Sequence, residues 1–148
     1  MGYPIGKISK IGPHVYVKGS AEAAKLYKKV FNLKDKGTPR LDSDGDIYHR
    51  ILTRNGDYFM SISEEKYMHD GLKREYPDGV RPTMVFTVAF DNEDDLRRAY
   101  DILSTDGTPC NGLIVEPSTT LYGDVFDKFD VLWCMYVPVN WDAFIVPR

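Results

Sequence analysis

Residues 14–31 (HVYVKGSAEAAKLYKKVF) and residues 84–103 (MVFTVAFDNEDDLRRAYDIL) follow one plan. Each reads as a short strand, a break and an amphipathic helix, and each is followed by a longer stretch with strand character. Tyr27 and Tyr100 hold the same place in the two helices, 73 residues apart. A chain of 148 residues has room for one such duplication and little else. A sheet that packs one face on a helix leaves its other face free. Two copies can therefore enclose a cleft between them.

In the first copy, Val15 and Val17 share one strand face and His14 and Tyr16 the other, because strand side chains alternate. Gly19 allows a sharp turn, and Ser20 is placed to cap the helix. Ala23, Ala24, Tyr27, Val30 and Phe31 recur at helical spacing as one apolar stripe. A short strand is expected near residues 37–41. Asp44-Gly45 and Asn55-Gly56 mark turns, since both pairs supply positive φ. Residues 47–54 and 57–63 read as the two strands joined at Asn55-Gly56. Either His49 or Arg50 faces the free side of that sheet, and alternation alone does not say which.

Residues 65–81 are charged, carry Gly and Pro, and read as the connection between the copies. In the second copy residues 83–90 read as a buried strand and Asn92 as a helix cap. Leu96, Ala99, Tyr100 and Leu103 form the stripe, and Gly107 reads as the helix stop. Residues 111–117 read as a strand, Tyr122-Gly123-Asp124 and residues 128–130 as turns, and residues 131–139 as the last long strand. The expected fold is α+β: two βαβββ modules, about 11–64 and 82–140, forming a curled mixed sheet (an incomplete barrel) with the helices packed outside, in a single domain over residues 1–148.

Composition narrows the function classes. With 43% hydrophobic residues the chain can build a core, and a net charge of −3 gives no basic footprint for nucleic acid. No run of about 18 apolar residues exists to cross a membrane. The N-terminal residues lack the apolar run of a signal peptide. Cys110 and Cys134 form no C-x-x-C pair, so a reduced, cytoplasmic protein is expected. There is no glycine-rich phosphate loop and no G-x-S-x-G elbow.

Three strings carry a family resemblance. Residues 19–31 (GSAEAAKLYKKVF), Tyr122-Gly123-Asp124, and residues 127–133 (DKFDVLW) appear in that order. Together they resemble the vicinal-oxygen-chelate superfamily, which holds glyoxalase I, extradiol dioxygenases and bleomycin-resistance proteins. They are most similar to its PhnB-like branch, which has Trp-Gly-Asp where Tyr122-Gly123-Asp124 stands. The resemblance covers nearly the whole chain. It implies a homodimer and a cleft for a small molecule.

The superfamily's metal enzymes place a His or Glu ligand on the first and last strand of each module. Aligned by the three strings, those positions fall on or near Gly12, Met60, Val85 and Cys134. A single thiol cannot hold a divalent ion, so no metal and no cofactor are expected. The function so implied is metal-independent binding of a small, partly aromatic molecule. The alternative is a metal-dependent lyase or isomerase of the glyoxalase type, with ligands relocated around His14 and His49, and whether the chain is an enzyme stays open.

Candidate ligand contacts are His14, Tyr16, His49, Tyr122 and Cys134. His14 and Tyr16 lie opposite the helix-facing valines. His49 has a side chain suited to proton transfer near neutrality. Tyr122 offers a ring for stacking on a flat ligand. Cys134 stands at a former ligand position, which assigns its neighbour Trp133 to the core. Tyr67, Tyr76, Trp141 and Phe144 are aromatics expected at the surface, where a partner subunit could cover them.

Overall fold

The structure, a computed structural model, describes residues 11–68, 84–110, 112–116 and 119–138. Strand β1 (His14–Val17) leads into helix α1 (Ser20–Phe31), then β2 (Lys34–Asp35), β3 (Arg40–Leu41), β4 (Ile47–Arg54), β5 (Asp57–Glu64) and a 3-10 turn at Glu65–Tyr67. The second half repeats the order with β6 (Phe86–Ala89), α2 (Glu93–Ser104), β7 (Thr108–Pro109), β8 (Ile114–Glu116), β9 (Thr119–Phe126) and β10 (Leu132–Pro138). Each half builds a mixed five-stranded sheet of the same topology: β1-β5-β4-β2 with β3 on β4, and β6-β10-β9-β7 with β8 on β9. The first strand of each pairs parallel with the last, and the hairpins are antiparallel. This is the expected α+β class, and among the described residues no barrel closes.

Both helical stripes are buried as their spacing requires. Ala23, Ala24, Tyr27, Val30 and Phe31 pack inward from α1, and Leu96, Ala99, Tyr100 and Leu103 from α2. Trp133 of β10 joins the two halves. Its ring centroid lies 5.4 Å from Tyr27 and 4.7 Å from Phe31. The halves therefore share one core, where each large side chain taken from water stabilises by roughly 1.5–3 kcal/mol. Trp133 is core, as its alternation with Cys134 requires. Asn55 and Gly56, at φ 51 and 84, form the expected hairpin turn. The Asn92 side chain accepts from the Asp95 amide at 2.9 Å, capping α2.

Several local expectations are corrected. Ser20 does not cap α1. It is the first helical residue, and its Oγ accepts from the Ile47 amide at 3.0 Å. The cap comes from the end of β5, where the Glu64 carboxylate accepts from the amides of Gly19 (3.0 Å) and Ser20 (2.8 Å). Tyr122-Gly123-Asp124 is no turn but the middle of β9. A Cβ at position 123 would lie 2.9 Å from the Tyr100 ring and 2.9 Å from the Leu113 side chain. Glycine is there to admit α2, not to bend the chain. Gly107 does not take the left-handed position after α2; Asp106 does, at φ 57. A Cβ at Gly107 would meet the Phe126 carbonyl oxygen at 2.5 Å.

The strand read over residues 83–90 shrinks to β6 and is only partly buried, with Phe86 and Val88 packed against the core; among the described residues β6 pairs with β10 alone. Met84 and Val85 before it are exposed. The strand expected near residues 37–41 contracts to β3. The sequence missed β2 and β7, which at two residues each are too short to show a period. Tyr67 is not a bare surface ring; it is half-buried and its hydroxyl donates to Asp42 at 2.6 Å. Tyr76, Trp141, Phe144 and residues 69–81 of the connecting stretch lie outside the described residues. Cys110 and Cys134 are not joined in a disulfide. Among the described residues no helix is long and apolar enough to cross a membrane.

Candidate functional site

The parallel register of β1 and β5 sets His14 beside Ser61 and Tyr16 beside Ser63, with Val15 beside Ile62. Val15 and Ile62 belong to the core, so His14, Tyr16, Ser61 and Ser63 share the face turned away from α1. There the rings of His14 and Tyr16 stack, with centroids 4.4 Å apart and planes 16° from parallel. His49 of β4 meets the His14 ring edge-on at 5.4 Å. His14 Nε2 shares a 2.8 Å hydrogen bond with Ser63 Oγ. Burial, and then the neighbouring His49, hold the His14 pKa below its usual 6.5. The imidazole is therefore neutral at pH 7.

This resolves which of His49 and Arg50 faces inward. Arg50 pairs across the strands with Ile62, on the helix side. Its Nε lies 2.7 Å from the Asp35 carboxylate, which also takes Lys28 Nζ from α1 at 2.6 Å. The arginine is held among the helix-side charges, and His49 is left on the open face.

On the second sheet, β10 carries Cys134 and Tyr136 on the face opposite the core residues Trp133 and Met135. Cys134 pairs with Asp124 on β9 and Thr87 on β6, and Tyr136 pairs with Tyr122. The Tyr122 hydroxyl donates to Asp124 Oδ2. Burial, reinforced by that carboxylate, pushes the Tyr122 pKa far above its usual value. Burial and then the Cys134 thiol raise that of Tyr136. Both phenols stay protonated over the physiological range and can serve as hydrogen-bond groups, not as bases.

A cleft of about 720 Å³ opens between β1 on one side and Met84, Phe86 and the turn over residues 128–132 on the other. His14 and Tyr16 line it, with Lys18, Phe129 and Leu132. His49 adjoins it through His14. Tyr122 and Cys134 do not line it; they stand together on the open face of the second sheet. Sequence reasoning missed Phe129 and Ser63, and also missed what holds the turn. Asp127, 2% exposed, accepts from the amides of Phe129 (2.8 Å) and Val131 (3.1 Å) on Oδ1. On Oδ2 it accepts from the Tyr27 hydroxyl (2.7 Å) and Trp133 Nε1 (2.9 Å). An aspartate two residues ahead of a turn was the available signal, since such carboxylates bond the backbone just downstream.

The positions at which the resemblance implies metal ligands do not fit a divalent ion. At Gly12 a Cβ would lie 2.0 Å from the ring of Tyr58. That ring is held by its hydroxyl, which donates to the Pro13 carbonyl (2.9 Å) and shares a bond with Ser61 Oγ (2.7 Å). Met60 is fully buried on the helix side, and the neighbour that faces inward is Ser61. Among the described residues the one group of three possible ligands is Asp42, Asp44 and Asp46. Lys66 already occupies it, with Nζ 2.7, 3.5 and 3.0 Å from the three carboxylates. Lys66 and then the Tyr67 hydroxyl hold the Asp42 carboxyl well below the usual carboxylate range.

No family model and no curated protein matches the sequence. The fold does match solved structures. A putative 3-demethylubiquinone-9 3-methyltransferase, PhnB protein, from Bacillus cereus superposes with a TM-score of 0.68 at 23% identity, over 87% of this chain and 99% of that one. A glyoxylase/bleomycin resistance protein/dioxygenase domain from Frankia sp. EAN1pec gives 0.59 at 14%, over 91% and 99%. The fosfomycin resistance protein FosX from Listeria monocytogenes, complexed with Mn(II) and a dihydroxypropylphosphonic acid, gives 0.62 at 12%, over 93% and 98%. The chain has the fold of these three proteins.

Proposed function

We propose that the cleft binds a small, partly aromatic molecule without a metal ion. The observation that carries this reading is the stacked His14–Tyr16 pair on one wall of a cleft of about 720 Å³, within the several-hundred-Å³ range of small-molecule sites. A flat ring can continue the stack on Tyr16, and Phe129 supplies an apolar surface beside it. The neutral state of His14 keeps the platform uncharged at pH 7. Metal independence is supported by the donor set: the Tyr58 ring fills the space at Gly12, Met60 points into the core, and no third ligand joins His14 and His49 among the described residues. Tyr122 and Cys134 are read as contacts for a ligand that extends onto the second sheet.

Elemental analysis and native mass spectrometry of freshly purified protein test this directly, and report in the same spectrum the homodimer that the resemblance implies. The expected result is no stoichiometric divalent ion. Titration with 2-naphthol should shift the backbone resonances of His14, Tyr16 and Phe129 saturably, and Tyr16→Ala should weaken that binding. A stoichiometric divalent ion whose loss follows His14→Ala or His49→Ala would overturn the reading in favour of a metal-dependent lyase or isomerase.

A further inference from the structure

We infer that Asp127 is the positioning residue of the cleft: it fixes the turn that forms the far wall and couples that wall to Trp133, behind the sheet. The ligand-dependent half of this inference rests on the reading of the cleft given above. Residues 128–132 supply five of the residues that line the cleft. They belong to a turn with Asp130 in the left-handed region at φ 63, a conformation that costs a non-glycine residue energy and persists where its surroundings enforce it.

The enforcement comes from one buried carboxylate. Oδ1 takes the amides of Phe129 and Val131, two of the turn residues that line the cleft. Oδ2 takes two donors that lie wholly outside the cleft, the Tyr27 hydroxyl from α1 and the Trp133 indole N–H from the core. All four donors converge on a group that water hardly reaches. A buried carboxylate with both oxygens doubly satisfied is a rigid joint, since any displacement leaves a charge or a donor unpaired. The turn cannot move on the cleft side without disturbing the indole on the other. α1 meets the same wall a second time, where the Tyr27 ring lies edge-on to Phe129 with centroids 6.4 Å apart.

The isosteric change Asp127→Asn separates positioning from bulk. The amide oxygen can still accept from Phe129 and Val131, though as a neutral and weaker acceptor, while its NH₂ group faces the Trp133 N–H donor to donor. Without any ligand, amide hydrogen exchange at Phe129 and Val131 should quicken at least several-fold in Asp127→Asn, with α2 and β4 unchanged. Equal exchange in the two proteins overturns the inference. With 2-naphthol, the Trp133 indole N–H resonance of the wild-type protein (assigned by a Trp141→Phe variant) should shift as the cleft fills, although Trp133 does not line it. In Asp127→Asn the affinity should fall roughly tenfold, the loss expected when a preorganised wall must be ordered by the ligand, and the indole shift should vanish. Binding to both proteins with equal affinity and equal indole shift also overturns the inference, yet leaves the cleft reading intact. Binding to neither tells against the cleft reading, and the exchange arm then decides the role of Asp127 alone. Should Asp127→Asn fail to fold, Tyr27→Phe keeps the carboxylate and removes one donor. It should move the same exchange rates and the same indole resonance by less, and no movement of either overturns the inference.

Discussion

The Tyr27 hydroxyl on α1 donates to Asp127 Oδ2 at 2.7 Å, across 100 residues of chain. Both groups are buried, and burial, then the carboxylate, drives the Tyr27 pKa far above its normal value. The bond ties the helix of the first half to the last hairpin of the second. Tyr27→Phe leaves Oδ2 with the Trp133 N–H and should cost about 1–2 kcal/mol in urea unfolding. Asp127→Ala leaves four donors, two of them buried, without this acceptor and should cost roughly 3 kcal/mol or more. Equal costs for the two variants would show that the carboxylate does not hold the four donors as a unit.

Gly123 lies within β9 beneath Tyr100, where a Cβ would come within 2.9 Å of the ring. Gly123→Ala should therefore destabilise by about 1–3 kcal/mol, the usual cost of overpacking a filled site. Tyr100→Ala alone should also destabilise, through the cavity it leaves. In the double variant the new methyl fills part of that cavity, so the two costs should add to clearly less than their sum. Strict additivity in a double-mutant cycle would rule out the contact as the reason for the glycine.

Gly123 also shows where the sequence is silent. A glycine that supplies positive φ and one that makes room for a neighbour are the same letter. Gly45 and Gly56 are the first kind, and their Asp-Gly and Asn-Gly contexts revealed them. Gly107 and Gly123 are the second kind, and the nearest atoms that require them, the Phe126 carbonyl oxygen and the Leu113 and Tyr100 side chains, come from elements elsewhere in the chain. The helices were legible because Ala23 through Phe31 and Leu96 through Leu103 repeat every three to four residues. The repeated order of elements followed from them. The open face of β1 was legible from alternation. The phase of β4 was not, because it is decided by Asp35, which draws Arg50 to the helix side. Tyr122 and Cys134 could be placed together on one face, but not in relation to the cleft, whose far wall depends on the buried bonds of Asp127.

Glu64 caps α1 from the end of β5, through the amides of Gly19 and Ser20. Burial raises its pKa, but the hydrogen bonds from Gly19 and Ser20 outweigh burial and leave it below the usual 4.5. A depressed folded pKa means that the stabilisation is complete above 4.5 and is lost as pH falls through the lower folded value. Glu64→Gln should be less stable than wild type by about 1 kcal/mol at pH 7, as for loss of a helix cap. The gap in urea midpoints should close on acidification below pH 4.5. A gap that stays constant down to strongly acidic pH would mean that the charge of Glu64 is not what caps the helix.

His14 and His49 meet edge to face on the open side of the first sheet, 5.4 Å apart. Burial first, and the charge of His49 second, depress the His14 pKa below 6.5. The unfolded chain binds the proton more readily, so this histidine stabilises the fold fully above pH 6.5, and that contribution is lost as pH falls through the lower folded value. His49→Asn removes the second cause and leaves the first. The His14 imidazole titration, followed by NMR, should move upward in this variant and still end below 6.5. The acid side of the stability profile should shift with it. An unmoved titration would show that the two rings do not share the charge of the open face. A value above 6.5 would show that burial is not the larger cause.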